Sequence, residues 1–194
     1  MAKKRTINIR HVYKRILILC EGKKTEPLYF NQLKRHLQSH LKAVQIEIDK
    51  NEYTSAVELI KRAKLLRDKA KSDKNSYERV WVVYDKDGYT QHDAAYQLAK
   101  TQRIDIAFSS ICFEFWYFLH FTYSTAPHQN ADELVNKLKN YISDYDKSIG
   151  YFDQIREKLP FAIENARKVK EYCQIGYPDT RFYDLNPYTN VDDL

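Results

Sequence analysis

The sequence predicts an α/β fold in which a mostly parallel sheet is flanked by helices. Two short apolar segments, RILILC at residues 15–20 and RVWVVYD at residues 79–85, have the composition of strands buried on both faces. A helix is predicted after each strand, and this order implies parallel strands joined by right-handed crossovers. With 194 residues, 43% of them hydrophobic, the chain is long enough for one main domain with its own core.

Two more strands complete the predicted sheet. AVQIEID, residues 43–49, alternates apolar and polar side chains, which is typical of a strand near a sheet edge. IDIAFSS, residues 104–110, is the fourth strand in the chain. The sheet therefore has at least four strands before the sequence pattern changes.

Helices are predicted between and after these strands. We expect Thr25 to cap the first helix, and Ser55 and Glu58 to form a capping box at the start of the second. A third helix lies near residues 91–101. The aromatic segment CFEFWYFLHF, residues 112–121, is expected to form a largely buried helix that packs on the sheet.

After this aromatic segment, caps and periodicity predict helices only. Asn130 and Glu133 fit a capping box that begins a helix extending to Ile142, and residues 160–173 form a second helix. The tail, residues 177–194, is rich in turn formers and aromatic residues. We expect it to pack on the body of the protein or on a partner without regular secondary structure.

The chain is therefore divided into an α/β core with a basic N-terminal arm, residues 1–122, and a helical C-terminal extension packed on that core, residues 123–194. The formal net charge is +6, and six basic residues precede the first acid. These six are Lys3, Lys4, Arg5, Arg10, Lys14 and Arg15. The arm is thus either an electrostatic contact for nucleic acid or a solvated segment that aids solubility.

Several functional classes are excluded by composition. The three cysteines show no CxxC spacing, so neither a disulfide scaffold nor a structural zinc site is expected. The sequence contains no GxGxxG and no GxxxxGK[ST] motif, which excludes nucleotide binding through a glycine-rich loop. No apolar run approaches the roughly 18 residues of a membrane span, and no secretory signal is present at the start. We expect a cytoplasmic protein that does not enter a membrane.

Acidic residues follow two of the predicted strands. Glu21 comes directly after the first strand, Asp85 ends the third, and Asp87 lies in the turn that follows. Functional groups of open parallel sheets collect at the carboxyl ends of strands, so these three carboxylates converge if the first and third strands are neighbours. Carboxylates in such a cluster repel one another unless a hard cation neutralises their charge. The sequence therefore predicts a site for Mg²⁺ or Mn²⁺ and phosphoryl chemistry.

Four blocks of sequence together resemble the RloB family, whose members look like Toprim-fold proteins. The blocks are CEGKKTEPLYF (20–30), VWVVYDKDG (80–88), CFEFWYFLHF (112–121) and NPYTNVDDL (186–194). The resemblance implies a Toprim-like, Rossmann-like core that cleaves phosphodiester bonds. It also implies an effector in prokaryotic anti-phage defence or abortive infection, with DNA or tRNA as the target and an RloA-like ATPase as partner. Whether the chain forms a homodimer is left open.

The resemblance also implies roles for the acids. Glu21 corresponds to the glutamate that acts as general acid or base and also lies where it can reach the metal, and Asp85 and Asp87 correspond to metal ligands. Many Toprim proteins carry a third acid in this motif, where this chain has Tyr89. Another carboxylate must therefore complete the set.

Two acids are candidates to complete the set. Glu26 is either a functional carboxylate or an acid favoured by the dipole at a helix N-terminus. Glu114 lies in a strongly apolar segment, where a carboxylate is costly unless it is paired or bound to metal, and this favours a functional role. Lys23 and Lys24, beside Glu21, are either phosphate contacts or ordinary solvated side chains.

Two other functional classes compete with a nuclease. The first is a non-catalytic module of the same fold that binds nucleic acid or a partner, and its acidic crevice would be crossed by salt bridges to lysines. The second is an aspartate-nucleophile phosphatase of the haloacid-dehalogenase kind. Its DxD motif normally follows the first strand of the domain, whereas the motif here follows the third, so this class ranks last.

The arm leads to a first prediction. If it binds phosphates, nucleic-acid binding releases counterions, and the affinity of the full chain should fall steeply between about 50 and 200 mM salt. A chain that lacks residues 1–14 should show a shallower dependence. A flat salt response in both chains would contradict nucleic-acid binding.

Overall fold

The structure, a computed structural model, describes residues 14–41, 43–49, 53, 55–86 and 91–194. The predicted arm up to residue 13 and the turn that contains Asp87 and Tyr89 lie outside these described residues. The predictions made for them stay predictions.

Five strands form one sheet. They are β1 (Lys14–Cys20), β2 (Val44–Ile48), β3 (Arg79–Asp85), β4 (Asp105–Ser110) and β5 (Tyr188–Thr189). Their order across the sheet is β2-β1-β3-β4-β5, and all neighbours are parallel except β4 and β5. This Rossmann-like α/β arrangement confirms the predicted fold class, the edge position of β2 and the adjacency of the first and third strands.

Seven α-helices surround this sheet in the described part of the chain. They are α1 (Thr25–His40), α2 (Ala56–Ser72), α3 (His92–Gln102), α4 (Glu114–Leu119), α5 (Ala131–Leu138), α6 (Phe152–Ile155) and α7 (Leu159–Gly176). Within the same residues, none of these helices is both long and apolar enough to cross a membrane.

The two faces of the sheet bury separate apolar clusters. Side chains alternate along a strand, so Leu17 packs on the face covered by α2 and α3, while Ile18 packs on the opposite face. The cluster on the face of Ile18 is the larger one, and it contains Tyr29 of α1, Phe115 of α4 and Ala166 of α7. The C-terminal helices therefore share a core with the sheet.

Two of the three helix caps that the sequence predicts are present in the structure. The Ser55 hydroxyl accepts from the Glu58 N–H at 3.3 Å, and the Asn130 side chain accepts from the Glu133 N–H at 2.9 Å. The prediction for Thr25 is wrong: α1 begins at Thr25 itself, whose side chain is buried rather than capping. The expected helix after Asn130 also ends earlier than predicted, at Leu138 instead of Ile142.

The expectation of helices alone in the C-terminal part is wrong, because the tail contributes β5. This strand pairs antiparallel with the end of β4 through Ser109 and Ser110. Asn190, just after β5, accepts from the Phe108 N–H at 2.7 Å and donates to the Ile106 carbonyl at 2.9 Å. A strand of two residues has no detectable period, and these contacts span about 80 residues of sequence, so local patterns do not report them.

These side-chain contacts lead to a second prediction. Asn190→Ala leaves the Phe108 N–H and the Ile106 carbonyl without their partner, and should lower the free energy of unfolding by about 2 kcal/mol. Asn136, exposed on α5, provides the control, and Asn136→Ala should change stability by less than about 0.5 kcal/mol. Denaturant unfolding of the three proteins measures both values, and equal stability of Asn190→Ala and wild type would contradict the role of the tail.

Candidate active site

The carboxyl ends of β1 and β3 place Glu21 and Asp85 at the same edge of the sheet. Cys20 is in register with Val83, and the Glu21 N–H donates to the Val83 carbonyl at 2.9 Å, which continues the ladder one residue beyond β1. Asp85, the last residue of β3, lies two residues further along the same edge. Parallel pairing of two neighbouring strands therefore brings these two acids into one region, as the sequence predicted.

Glu26 folds back over the turn between β1 and α1. It lies in the first turn of α1, and its side chain is only 6% exposed. A Cβ atom at Gly22 would lie 2.5 Å from Glu26 Oε2, so a side chain at position 22 would force this carboxylate to move. The glycine that follows Glu21 is thus explained by close approach of a carboxylate.

The environment of Glu26 disfavours its charged form. Burial is the largest cause and raises the pKa of the carboxyl to about 7, although a hydrogen bond to its own backbone N–H opposes the change. The negative charges of Glu114 and Glu21 raise the pKa further, and Lys147 lowers it. Glu26 therefore exchanges a proton near neutral pH, and its surroundings already contain two more carboxylates.

Glu114 is the most deeply buried acid of this region. It begins α4, is 2% exposed, and accepts a hydrogen bond on Oε1 from the Tyr145 hydroxyl at 2.9 Å. The Lys147 ammonium lies 3.3 Å from the same oxygen. Burial of the Glu114 carboxylate in an apolar segment is costly, and the structure pairs this carboxylate with one hydroxyl donor and one cation.

Both partners of Glu114 keep their protons. Burial, followed by the charge of Glu114, raises the pKa of Tyr145 far above its usual range, so this hydroxyl keeps its proton and donates a hydrogen bond to Glu114. Burial lowers the pKa of Lys147, but the negative charges of Glu114 and Asp85 and the hydrogen bond to Glu114 outweigh it and raise the pKa above the usual value. A positive charge therefore lies beside Glu114.

These side chains line one cleft of about 330 Å³. Its walls come from the β1–α1 turn, the end of β3, the start of α4 and the segment after α5: Gly22, Lys23, Lys24, Thr25, Glu26, Asp85, Phe113, Glu114 and Lys147. The predicted phosphate contacts Lys23 and Lys24 are exposed at its rim. The negative charge of Glu21 raises the pKa of Glu26, which is one of the lining residues. Asp87, the second acid of the DxD motif, lies outside the described residues.

The acids of this region have the type of ligand atom that a hard divalent cation prefers. Glu21, Glu26, Asp85 and Glu114 offer carboxylate oxygens, and the negative charges of Glu114 and Glu21 contribute to the raised pKa of Glu26. Among the residues that the structure describes, no three His, Cys, Asp or Glu side chains lie close enough together to hold a metal ion. A complete ligand set would thus draw on Asp87 as well.

The two partners of Glu114 could not be found from the sequence. Tyr145 and Lys147 lie in residues 139–151, which contain neither a recognisable motif nor a regular period. They reach Glu114 because this segment passes beside the start of α4, more than 30 residues away in sequence. Burial of Glu114 in an apolar segment was the only available signal, since it requires a partner of some kind.

Comparison with known protein families gives a match over most of the chain. The model of the RloB-like protein family matches residues 16–194, nearly the whole chain. A search of the curated proteins finds no match.

The raised pKa of Glu26 leads to a third prediction. A carboxyl whose pKa is higher in the folded than in the unfolded chain binds a proton on folding, so the unfolding free energy falls as pH rises from about 4.5 to about 7. In metal-free protein, Glu26→Gln should remove this fall. The stability of the variant relative to wild type should rise by about 3 kcal/mol between pH 5 and pH 8.

Denaturant unfolding at several pH values in the presence of a chelator measures this difference. Glu171→Gln, an exposed change on α7, provides the control and should follow the wild-type curve. Parallel curves for Glu26→Gln and wild type would show that Glu26 ionises in the folded protein as it does in water.

Proposed function

Because the chain belongs to the RloB-like protein family, we propose that it is a Mg²⁺- or Mn²⁺-dependent nuclease of the Toprim type. The observation that carries this proposal is the cleft in which Glu26, Asp85 and Glu114 meet at the carboxyl edge of the sheet. Buried carboxylates destabilise a fold unless they are neutralised, and clustered acids do not attract a phosphate backbone. Such a cluster is therefore best explained by a bound cation that recruits the phosphate.

Asp85, Asp87 and Glu21 are the proposed ligands, with Glu114 and Glu26 available to complete the set. A divalent ion bound there supplies a Lewis acid for a phosphodiester oxygen and lowers the pKa of a bound water. Glu21 has the proton-transfer role that the resemblance implies. Glu26, with a pKa of about 7, can accept a proton in one step and release it in another near neutral pH.

Three lysines supply positive charge around the acids. Lys23 and Lys24 lie at the rim of the cleft and can hold a phosphate as point charges. Lys147 is half exposed, and its ammonium lies beside Glu114. A phosphate that approaches the carboxylates thus passes side chains that attract it before it reaches those that repel it.

The proposed biological role follows from the family resemblance and the charge of the chain. We assign the protein to the cytoplasm, as the effector of an anti-phage or abortive-infection system that acts with an RloA-like ATPase. Its target is DNA or tRNA, contacted by the basic arm and by lysines on the outer face of α2. That face is partly neutralised, because Asp68 pairs with both Lys64 and Arg67.

The second candidate function is a non-catalytic module that binds nucleic acid or a partner through the same fold. One observation favours it: the ion pair between Lys147 and Glu114, 3.3 Å apart, crosses the acidic cleft in the way expected of such a module. The half-exposed lysine side chain can also leave Glu114 when another cation arrives. The two functions therefore differ in whether the cleft has activity that depends on a divalent metal.

The nuclease proposal leads to a fourth prediction. Asp85→Asn and Asp87→Asn should each abolish metal-dependent cleavage of DNA or tRNA without unfolding the chain. Removal of one charge from a repelling cluster should leave the melting temperature of the metal-free protein equal to wild type or raise it. Cleavage is measured with and without the ATPase partner, in Mg²⁺, in Mn²⁺ and in chelator.

Asp179→Asn, an exposed change in the tail, is the matched control and should keep full activity. If wild type cleaves in chelator as well as in metal, the metal assignment is wrong. A melting temperature of Asp85→Asn far below that of wild type would instead assign Asp85 a structural role.

A further inference from the structure

A second cavity opens at the other end of α4 from the cleft. It has a volume of about 430 Å³ and lies between residues 141–151 and the region of α6. We call it the aromatic groove; the residues that matter for its chemistry are Phe121, Tyr141, Ile149, Tyr151, Gln154 and Lys158. Nothing in the proposed chemistry of the cleft uses these side chains.

The groove contains a preformed aromatic stack. The rings of Phe121 and Tyr141 lie 4.9 Å apart between centroids and only 15° from parallel. The Lys158 ammonium lies 5.5 Å from the centre of the Phe121 ring. Yet Tyr141 is 47% exposed and Ile149 is 49% exposed, so the stack and the apolar wall beside it remain open to a ligand. Because nearly half of Tyr141 is exposed, this residue is the accessible member of the stack for a flat ring of a ligand.

The groove and the cleft share one segment of the chain. One segment, residues 141–151, contributes Tyr145 and Lys147 to Glu114 and contributes Tyr141, Ile149 and Tyr151 to the groove. The segment is held in place because the Tyr151 hydroxyl accepts from the Asp146 N–H at 2.8 Å and donates to the Asp144 carbonyl at 2.9 Å.

The two cavities are close enough to contact nearby nucleotides of one nucleic-acid strand. Glu114 begins α4, and Phe121 lies two residues beyond its last residue. At 1.5 Å per residue, the seven steps between Glu114 and Phe121 correspond to about 10 Å. This separation is about three nucleotides at the 3.4 Å spacing of a stacked strand.

We propose that the aromatic groove binds an unpaired base of a single-stranded nucleic acid whose backbone crosses the cleft. This inference rests on the proposed function and specifies its substrate class. Bases stack on exposed aromatic rings whatever their sequence, and Lys158 supplies a cation for an adjacent phosphate. Gln154 and Asp144 offer polar groups to the edge of a base. Bases within a duplex are already stacked and paired, so the groove excludes them.

Binding of short oligonucleotides tests the inference in the full chain. A fluorescently labelled 12-nucleotide single strand is titrated in chelator, which prevents metal-dependent cleavage, and anisotropy is the readout. Tyr141→Ala should weaken binding about tenfold, because loss of one stacking ring costs on that order per base. Tyr141→Phe, which keeps the ring, should stay within about twofold of wild type.

Controls separate stacking from general loss of structure or charge. Tyr172→Ala removes a tyrosine of similar exposure, 42%, on α7 outside the groove lining, and should leave binding unchanged. A duplex of the same sequence should bind wild type and Tyr141→Ala equally. Lys158→Gln should weaken single-strand binding and reduce its salt dependence, which gives a second variant if Tyr141→Ala does not fold.

The inference is overturned if Tyr141→Ala binds the single strand as tightly as wild type, if single strand and duplex weaken equally, or if wild type binds no single strand. Failure of the proposed function is a different result. In that case binding depends on Tyr141, but wild type cleaves no nucleic acid in Mg²⁺ or Mn²⁺. Conversely, metal-dependent cleavage by wild type with no effect of Tyr141→Ala on binding would leave the nuclease proposal standing and remove the groove from it.

Discussion

Burial of two carboxylates side by side is the constraint on which the site depends. Glu26 and Glu114 are 6% and 2% exposed, and the negative charge of Glu114 helps to raise the pKa of Glu26. The protein responds with a proton on Glu26 near neutral pH and with a hydroxyl and an ammonium on Glu114. Burying either carboxylate costs free energy, and this cost would be difficult to explain in a protein that used this edge of the sheet only as a scaffold.

The α/β architecture determines where these charges meet. Parallel pairing of β1 with β3 brings Glu21 and Asp85 to one edge, while Gly22 lets Glu26 lie over the turn that joins β1 to α1. The tail stabilises β4, the strand that leads to α4 and Glu114, because β5 extends the sheet beside it. Residues 139–151 then cover the cleft on one side and form the aromatic groove on the other. Sheet edge, tail and covering segment thus contribute to a single region of the surface.

Local patterns predicted the parts of this structure that local chemistry determines. Buried strands are short apolar segments, so β3 was predicted at its observed bounds, Arg79–Asp85, and the order of strands and helices implied the parallel sheet. The capping box at Ser55 is likewise encoded in four adjacent residues. By contrast, β5 and the contact of Lys147 with Glu114 join residues that are distant in sequence, and no periodicity reports such contacts. Thr25 was assigned a cap from its residue type, although its side chain is buried in the structure.

We propose that the carboxylates of the cleft bind a divalent metal, with Lys147 as the counter-ion of Glu114 when no metal is bound. A crystal structure of the protein soaked in Mn²⁺, with anomalous data at the manganese edge, tests this proposal. We expect an anomalous peak between Glu21 and Asp85, with Glu26 or Glu114 among the groups around it and the Lys147 ammonium displaced from Glu114. A cleft without manganese, in which Lys147 still contacts Glu114, would contradict the proposal and favour a module that binds without catalysis.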